Sequence, residues 1–236
     1  NQSLYGPRHP LVADNLINLG ASQFETGHYP QAEQYYRQAL AITEPWFGED
    51  HYQTASNLTM LGRSLVFQNR FPEAVELLQR ALAIQERVFG TVHPRVASAL
   101  NELGNVAIQQ ERLDDAERYF TRMIAIYREV HHDNHYLIGI GMANLGDVMN
   151  RKKDYRRAEA LHREALARYR TTLPADHLNI AIGHIKLGRS LLRQRRFAEG
   201  AAETLQGYDL MKRRANPAVS FLRAASWRAR RSISRR

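Results

Sequence analysis

Three features of the 236-residue sequence predict an all-α chain built as an array of antiparallel helix pairs. They are a strict internal repeat, a helical spacing of apolar residues in each copy, and no stretch with the period-2 alternation of a half-buried strand. Gly20, Gly62, Gly104, Gly146 and Gly188 stand 42 residues apart, each preceded by Leu, and His9, His51, His93, His135 and His177 keep the same step. Twelve residues after each Gly comes Ala32, Ala74, Ala116, Ala158 or, as the exception, Gly200; three residues earlier sits Tyr29, Phe71, Leu113, Tyr155 or Phe197. The frame gives copies at 9–50, 51–92, 93–134, 135–176 and 177–215, the fifth degenerate.

Each element follows from this frame in order. Residues 1–8 read as the end of a preceding repeat, the string SLYGPRHP at Ser3 to Pro10 being the tail of its second helix and the connector, and the chain is expected to be a piece of a longer protein. Within a copy the first helix runs, for example, from Pro94 to Gln110, with Val96, Ala97, Leu100, Leu103, Gly104, Ala107 and Ile108 forming one apolar stripe. A turn follows (Gly27-His28-Tyr29, Gln68-Asn69-Arg70, Glu111-Arg112), and then a second helix with Ala74, Leu77, Leu78, Ala81, Leu82 and Ile84 at helical spacing. Small residues at the Gly and Ala positions let two tightly joined helices approach closely. The connectors GPRHP, GEDHY, GTVHP, HDNHY and PADHL suit a helix C-cap followed by a new N-terminus, where an imidazole can cap the start. In the fourth copy His162 takes an aromatic position, and in the fifth Gly200, Glu203, Thr204 and Gly207 replace the usual core residues, so the array is expected to end there. Asn216-Pro217 then opens a capping helix at 216–227 with Ala218, Val219, Leu222 and Ala225, and the basic tail 228–236 is expected to be disordered.

The order Leu-Gly, aromatic, Ala-Glu, Ala-Leu, with the strings RALAI (Arg80 to Ile84) and FGTVHP (Phe89 to Pro94), resembles the tetratricopeptide repeat. The likeness is to its 42-residue form with a lengthened second helix, similar to kinesin light chain and many bacterial regulatory proteins. That resemblance implies a right-handed superhelical solenoid whose first helices line a concave groove, and a protein-interaction scaffold in the cytoplasm.

Composition excludes several other classes. With no cysteine there are no disulfides, thiolate zinc sites or Cys nucleophile, and no window approaches a membrane span. There is no Gly-rich phosphate loop, HExxH or nucleophile elbow, so no enzyme and no cofactor are expected. Charge is distributed unevenly: residues 1–150 hold 11 basic and 17 acidic side chains, residues 151–236 hold 22 and 7.

The first-helix positions not spent on the core face solvent, and the resemblance implies that they line the groove. Counted from each Gly at −6, −3, −2, +1 and +5, they bring Asn18, Arg63, Asn101, Asn105, Asn144, Asp147, Arg151, Lys186, Arg189 and Arg193 into the candidate peptide-binding groove. Asn amides suit a peptide backbone, and Arg suits bidentate binding of carboxylate. In relatives, Asn and basic residues at −2 clamp acidic peptides; Asn18, Asn144 and Lys186 match that row, while Met60 and Glu102 do not, so the resemblance carries no complete carboxylate clamp. Ile140, Ile182 and Ile185 offer apolar anchors at the basic end. The expected partner is a protein or peptide with an acidic segment lying toward copies four and five; open solenoid ends also allow self-association. The His131-His132-Asp133-Asn134-His135 string raises a metal site, set against the simpler reading of His135 as a helix cap. The alternative function is nucleic-acid or anionic-surface binding through the basic C-terminal region, with 14 basic and 3 acidic residues in 186–236 but no recognition motif, so no specific nucleic acid is expected.

Overall fold

The computed structural model describes residues 6–213, and among them every regular element is an α-helix. The first helices of the five copies are α1 (Pro10–Glu25), α3 (Tyr52–Phe67), α5 (Pro94–Gln109), α7 (Tyr136–Arg151) and α9 (Leu178–Arg193), each of 16 residues. The second helices are α2 (Tyr29–Phe47), α4 (Phe71–Phe89), α6 (Leu113–Val130), α8 (Tyr155–Thr172) and α10 (Phe197–Arg213). Residues 1–5, the proposed capping helix at 216–227 and the basic tail lie outside the described residues.

The periodic histidines explain why each first helix begins where it does. His9, His51, His93, His135 and His177 are N-caps, and the Nδ1 of each accepts the backbone N–H two residues on, at 3.2, 3.3, 3.2, 3.2 and 3.1 Å. An Nδ1 that accepts is unprotonated, so every cap uses an imidazole without a proton at that atom. Helix ends are equally regular. Gly27, Asn69, Glu111, Lys153 and Arg195 have positive φ, and the N–H after each reaches back to the carbonyl five residues earlier, His28 to Gln23 and Arg196 to Leu191 among them. This is a Schellman stop, and only one of the five left-handed positions is a glycine.

The invariant glycine has a packing reason. A Cβ at Gly20 would lie 2.6 Å from the Tyr36 ring, at Gly62 2.8 Å from Leu78, and at Gly146 2.5 Å from His162. In copies one, two, four and five the residue sixteen positions later lies over the glycine, so that later residue can vary in kind while the glycine cannot. His162 thus occupies the slot of Tyr36 and Leu78 and is fully buried, which makes it a packed member of the fourth copy. In the fifth copy the departures also pack: a Cβ at Gly207 would come within 2.5 Å of the Ala181 carbonyl, so α10 lies directly on α9.

The chain divides into two compact units between Tyr119 and Phe120, inside α6. In unit 1 the core holds Phe24, Ala32, Tyr36 and Leu61, then Ala55, Leu58, Ala81 and Ile84, then Leu78, Leu103 and Val106. Unit 2 buries Met123, Ile138, Met142, Leu145, Leu166, Leu187 and Leu191.

Candidate functional site in the first-helix faces

In unit 2 four of the sequence-predicted residues converge. One turn of α7 separates Asn144 from Asp147, and one turn of α9 separates Lys186 from Arg189, so each pair shares a helix face. Lys186 Nζ lies 2.7 Å from Asp147 Oδ2 and donates to Asn144 Oδ1 at 3.3 Å, while Arg189 pairs with Asp147 Oδ1. Burial pushes the Asp147 carboxyl up, but Lys186, His162 and Arg189 together more than offset this and hold it well below the usual carboxylate range. Arg151 and Arg193 are exposed at the last positions of α7 and α9, where the helix dipole also favours a cation. Ile140 and Ile182 are half-buried, and Ile185 is turned toward α10, its Cγ1 only 2.8 Å from the space a Cβ at Gly207 would need.

Unit 1 arranges its predicted residues differently. Arg63 lies over the Phe24 ring at 4.5 Å, next to an aromatic group in which Phe67 stacks on Tyr29 at 4.8 Å and meets Phe24 edge-on at 5.0 Å. Phe67 is 50% exposed, and Met60, Arg63 and Phe67 follow one another along one face of α3. On α5, Asn101 donates to Glu102 at 3.2 Å and Asn105 is half-buried. Burial raises the Glu102 carboxyl, and the attraction of Arg63 and the Asn101 bond offset this only in part. Asn18 stands exposed on α1.

Three polar assemblies were not legible from the groove positions. Beneath Asp147, buried His162 directs Nε2–H at the Ala143 carbonyl at 3.1 Å, with Asp147 Oδ1 at 3.6 Å, and sets Nδ1 2.8 Å from Ser190 Oγ, which also receives Asn150 Nδ2 at 2.9 Å. The order Ser, His, Asp resembles a hydrolytic triad, but Ser190 is fully buried, so the group is an internal polar network and not an accessible nucleophile. His184, also buried, donates Nδ1–H to Glu203 at 2.6 Å and accepts from Arg170 at 3.1 Å, which gives the unusual Glu203 its place.

The third assembly recurs. Glu33 accepts Arg70 at 2.8 and 2.9 Å, Gln68 at 2.8 Å and Arg37 at 2.9 Å. Glu159 accepts Arg196 at 2.7 and 2.9 Å, Gln194 at 2.7 Å and Arg163 at 2.6 Å. Each joins the second helix of one copy to the turn of the next. Burial raises both carboxyls, and these bonds more than reverse it, leaving both below the ordinary glutamate value. The sequence signal was a set of identities three periods apart, Glu33 with Glu159, Gln68 with Gln194 and Arg70 with Arg196.

At the connector of copies three and four, His131 stacks on the capping His135 at 4.0 Å. Among the described residues no three His, Cys, Asp or Glu side chains are grouped so as to hold a metal ion, and no helix is long and apolar enough to cross a membrane.

Helix pairs that repeat every 42 residues, with a glycine under the residue sixteen positions later in copies one, two, four and five and the same polar tie at two junctions, define a helical repeat protein. The chain belongs to the tetratricopeptide repeat family, whose profile matches residues 1–44, 39–87, 64–129 and 95–171. No curated protein matches it. Among solved structures its fold is similar to the kinesin light chain-like TPR repeats of Podosopora anserina, with a TM-score of 0.71 and 19% identity over 89% of this chain and 99% of that one. BtubC (BKLC) of P. vanneervenii gives 0.74 and 19% over 88% and 84%. A Rap protein complexed with Competence and Sporulation Factor gives 0.71 and 14% over 84% of this chain and 53% of that one.

Proposed function

We propose that this chain is a protein–protein interaction scaffold, acting without catalysis or cofactor, that holds an acidic or amphipathic peptide segment on its first-helix faces. It would serve as one region of a larger bacterial regulatory or signalling protein in the cytoplasm. The acidic part of the partner lies on unit 2, near Lys186, Arg189, Arg193, Arg151 and Asn144; on unit 1, taken by itself, Asn18, Asn101 and Asn105 offer amides to a peptide backbone. The observation that carries the reading is the convergence of Asn144, Lys186 and Arg189 on one side of α7 and α9. A relative in the same fold was solved in complex with its factor, which supports a binding role.

The nucleic-acid alternative draws less support, because it has no recognition motif and three arginines of unit 2 are engaged locally. Arg163 and Arg196 bind Glu159, Arg196 also binds Glu199, and Arg168 binds Asp133 and Glu164. Such pairs leave fewer cations for a run of phosphates.

Isothermal titration with synthetic hexaglutamate, and with hexalysine as its opposite, tests the reading. The expected affinity for hexaglutamate is about micromolar, weakening with salt. Combining Lys186→Glu, Arg189→Glu and Arg193→Glu should weaken it at least about tenfold. Equal affinity of the triple variant and the parent would end the electrostatic part of the proposal.

A further inference from the structure

The two cations best placed for a ligand carboxylate already share one. Asp147 offers Oδ2 to Lys186 at 2.7 Å and Oδ1 to Arg189, and its side chain is only 22% exposed. His162 lies beneath it, its Nε2 3.6 Å from Oδ1 and its ring held by Ala143 and Ser190. Asn144 steadies the Lys186 ammonium from the same helix. An arriving acid therefore meets two positive charges set against one resident negative charge. Exchanging Asp147 for a single ligand carboxylate replaces like with like, and it still costs the freedom the ligand loses on binding. A ligand with two neighbouring carboxylates does better, because one can engage Arg189 while the other approaches Lys186 and the exposed Arg193.

We propose that Asp147 is a resident stand-in for a ligand carboxylate, which keeps Lys186 and Arg189 in binding geometry and restricts this site to peptides with closely spaced acidic side chains. The inference rests on the acidic-peptide reading above and adds to it the class of peptide and the residue that selects it. Asp147 stays ionised across ordinary pH, since Lys186, His162 and Arg189 outweigh the effect of burial, so displacement by ligand and not protonation is the way it yields.

Fluorescence anisotropy with two labelled probes tests this, hexaglutamate and a glycine–serine hexapeptide carrying one glutamate. The parent should bind hexaglutamate and hold the single-glutamate probe at least about tenfold more weakly. Asp147→Asn should tighten the single-glutamate probe about tenfold and narrow the gap between the two, and adding Arg189→Gln should remove the gain. Asp147→Ser serves in its place if the Asn variant melts abnormally by circular dichroism. A folded Asp147 variant that binds the single-glutamate probe no better than the parent overturns the stand-in role. If the Lys186, Arg189 and Arg193 triple variant binds hexaglutamate as the parent does, the acidic-peptide reading itself falls and the stand-in with it.

Discussion

In unit 1 Glu33 is gripped by Arg37, Gln68 and Arg70, and in unit 2 Glu159 is gripped by Arg163, Gln194 and Arg196 at nearly the same distances. The first-helix faces of the same units could hardly differ more. Position +1 of copy two is Arg63 and position −2 of copy three is Glu102, whereas position +1 of copy four is Asp147 and position −2 of copy five is Lys186. The anion of one unit stands where the cation of the other does. Unit 1 adds exposed Phe67 and Met60, and unit 2 adds Arg189 and Arg193. Where the tie occurs its parts recur together, because a carboxylate withdrawn from water must keep its donors, and copy two, with Val75 at that position, has no carboxylate to tie. The helix faces carry no such constraint, so recognition can diverge there while the scaffold repeats.

The largest expected effect tests whether the glycine slot is equally tight in both units. Gly146→Ala drives a methyl into the His162 ring, which is hydrogen-bonded on both nitrogens and cannot step aside, and should cost about 3 kcal/mol by urea unfolding. Gly62→Ala meets Leu78 Cγ, which no hydrogen bond holds, and should cost less, nearer about 2 kcal/mol. Next come the ties themselves. Glu33→Ala and Glu159→Ala should each lose about 2 kcal/mol, because several donors lose one acceptor at once. Loss in one unit only would show that the matched distances conceal unmatched roles.

A pH titration sharpens the comparison at the caps. The Nδ1 of each capping histidine accepts a hydrogen bond, so protonation there removes the cap in both units. His135 has in addition a pKa lowered by burial and by His131. A lowered folded value means the folded state binds the proton less tightly than the unfolded one. Its contribution is therefore present above the ordinary value of 6.5 and is lost as the pH falls below it. His135→Asn keeps an acceptor that does not titrate; thermal melts between about pH 7 and 5 should show a shallower decline in this variant, by about 1 kcal/mol. The smallest effect concerns the turns. Lys153→Gly relieves a left-handed non-glycine residue in unit 2 and should add about 0.5 to 1 kcal/mol, whereas Gly27→Lys in unit 1 should remove as much.

Much of the fold was open to reading from the chain alone, because 42-residue periodicity marks both helix starts and the glycine of close approach. The histidine caps were readable for the same reason. His162 and Glu203 looked like losses of pattern, since in sequence they replace apolar residues; in three dimensions each finds a buried partner, Ser190 and His184. Of the candidate groove residues, Asn144, Asp147, Lys186 and Arg189 contact one another, whereas spacing presented Lys186 and Arg189 as open cations. Spacing gives the direction of a side chain on its own helix and is silent about the helix beside it.

By itself, then, the sequence determined the all-α class, the five helix pairs, their caps and the charge difference between early and late copies, all of which follow from local geometry and composition. Only the tertiary structure decided which charges neutralise one another. Asp147 meets residues 39 and 42 positions away, and Glu33 meets ones 35 and 37 away. At those separations it is helix packing that brings charges within reach of one another, and Coulomb attraction then fixes which of them remain available to a partner.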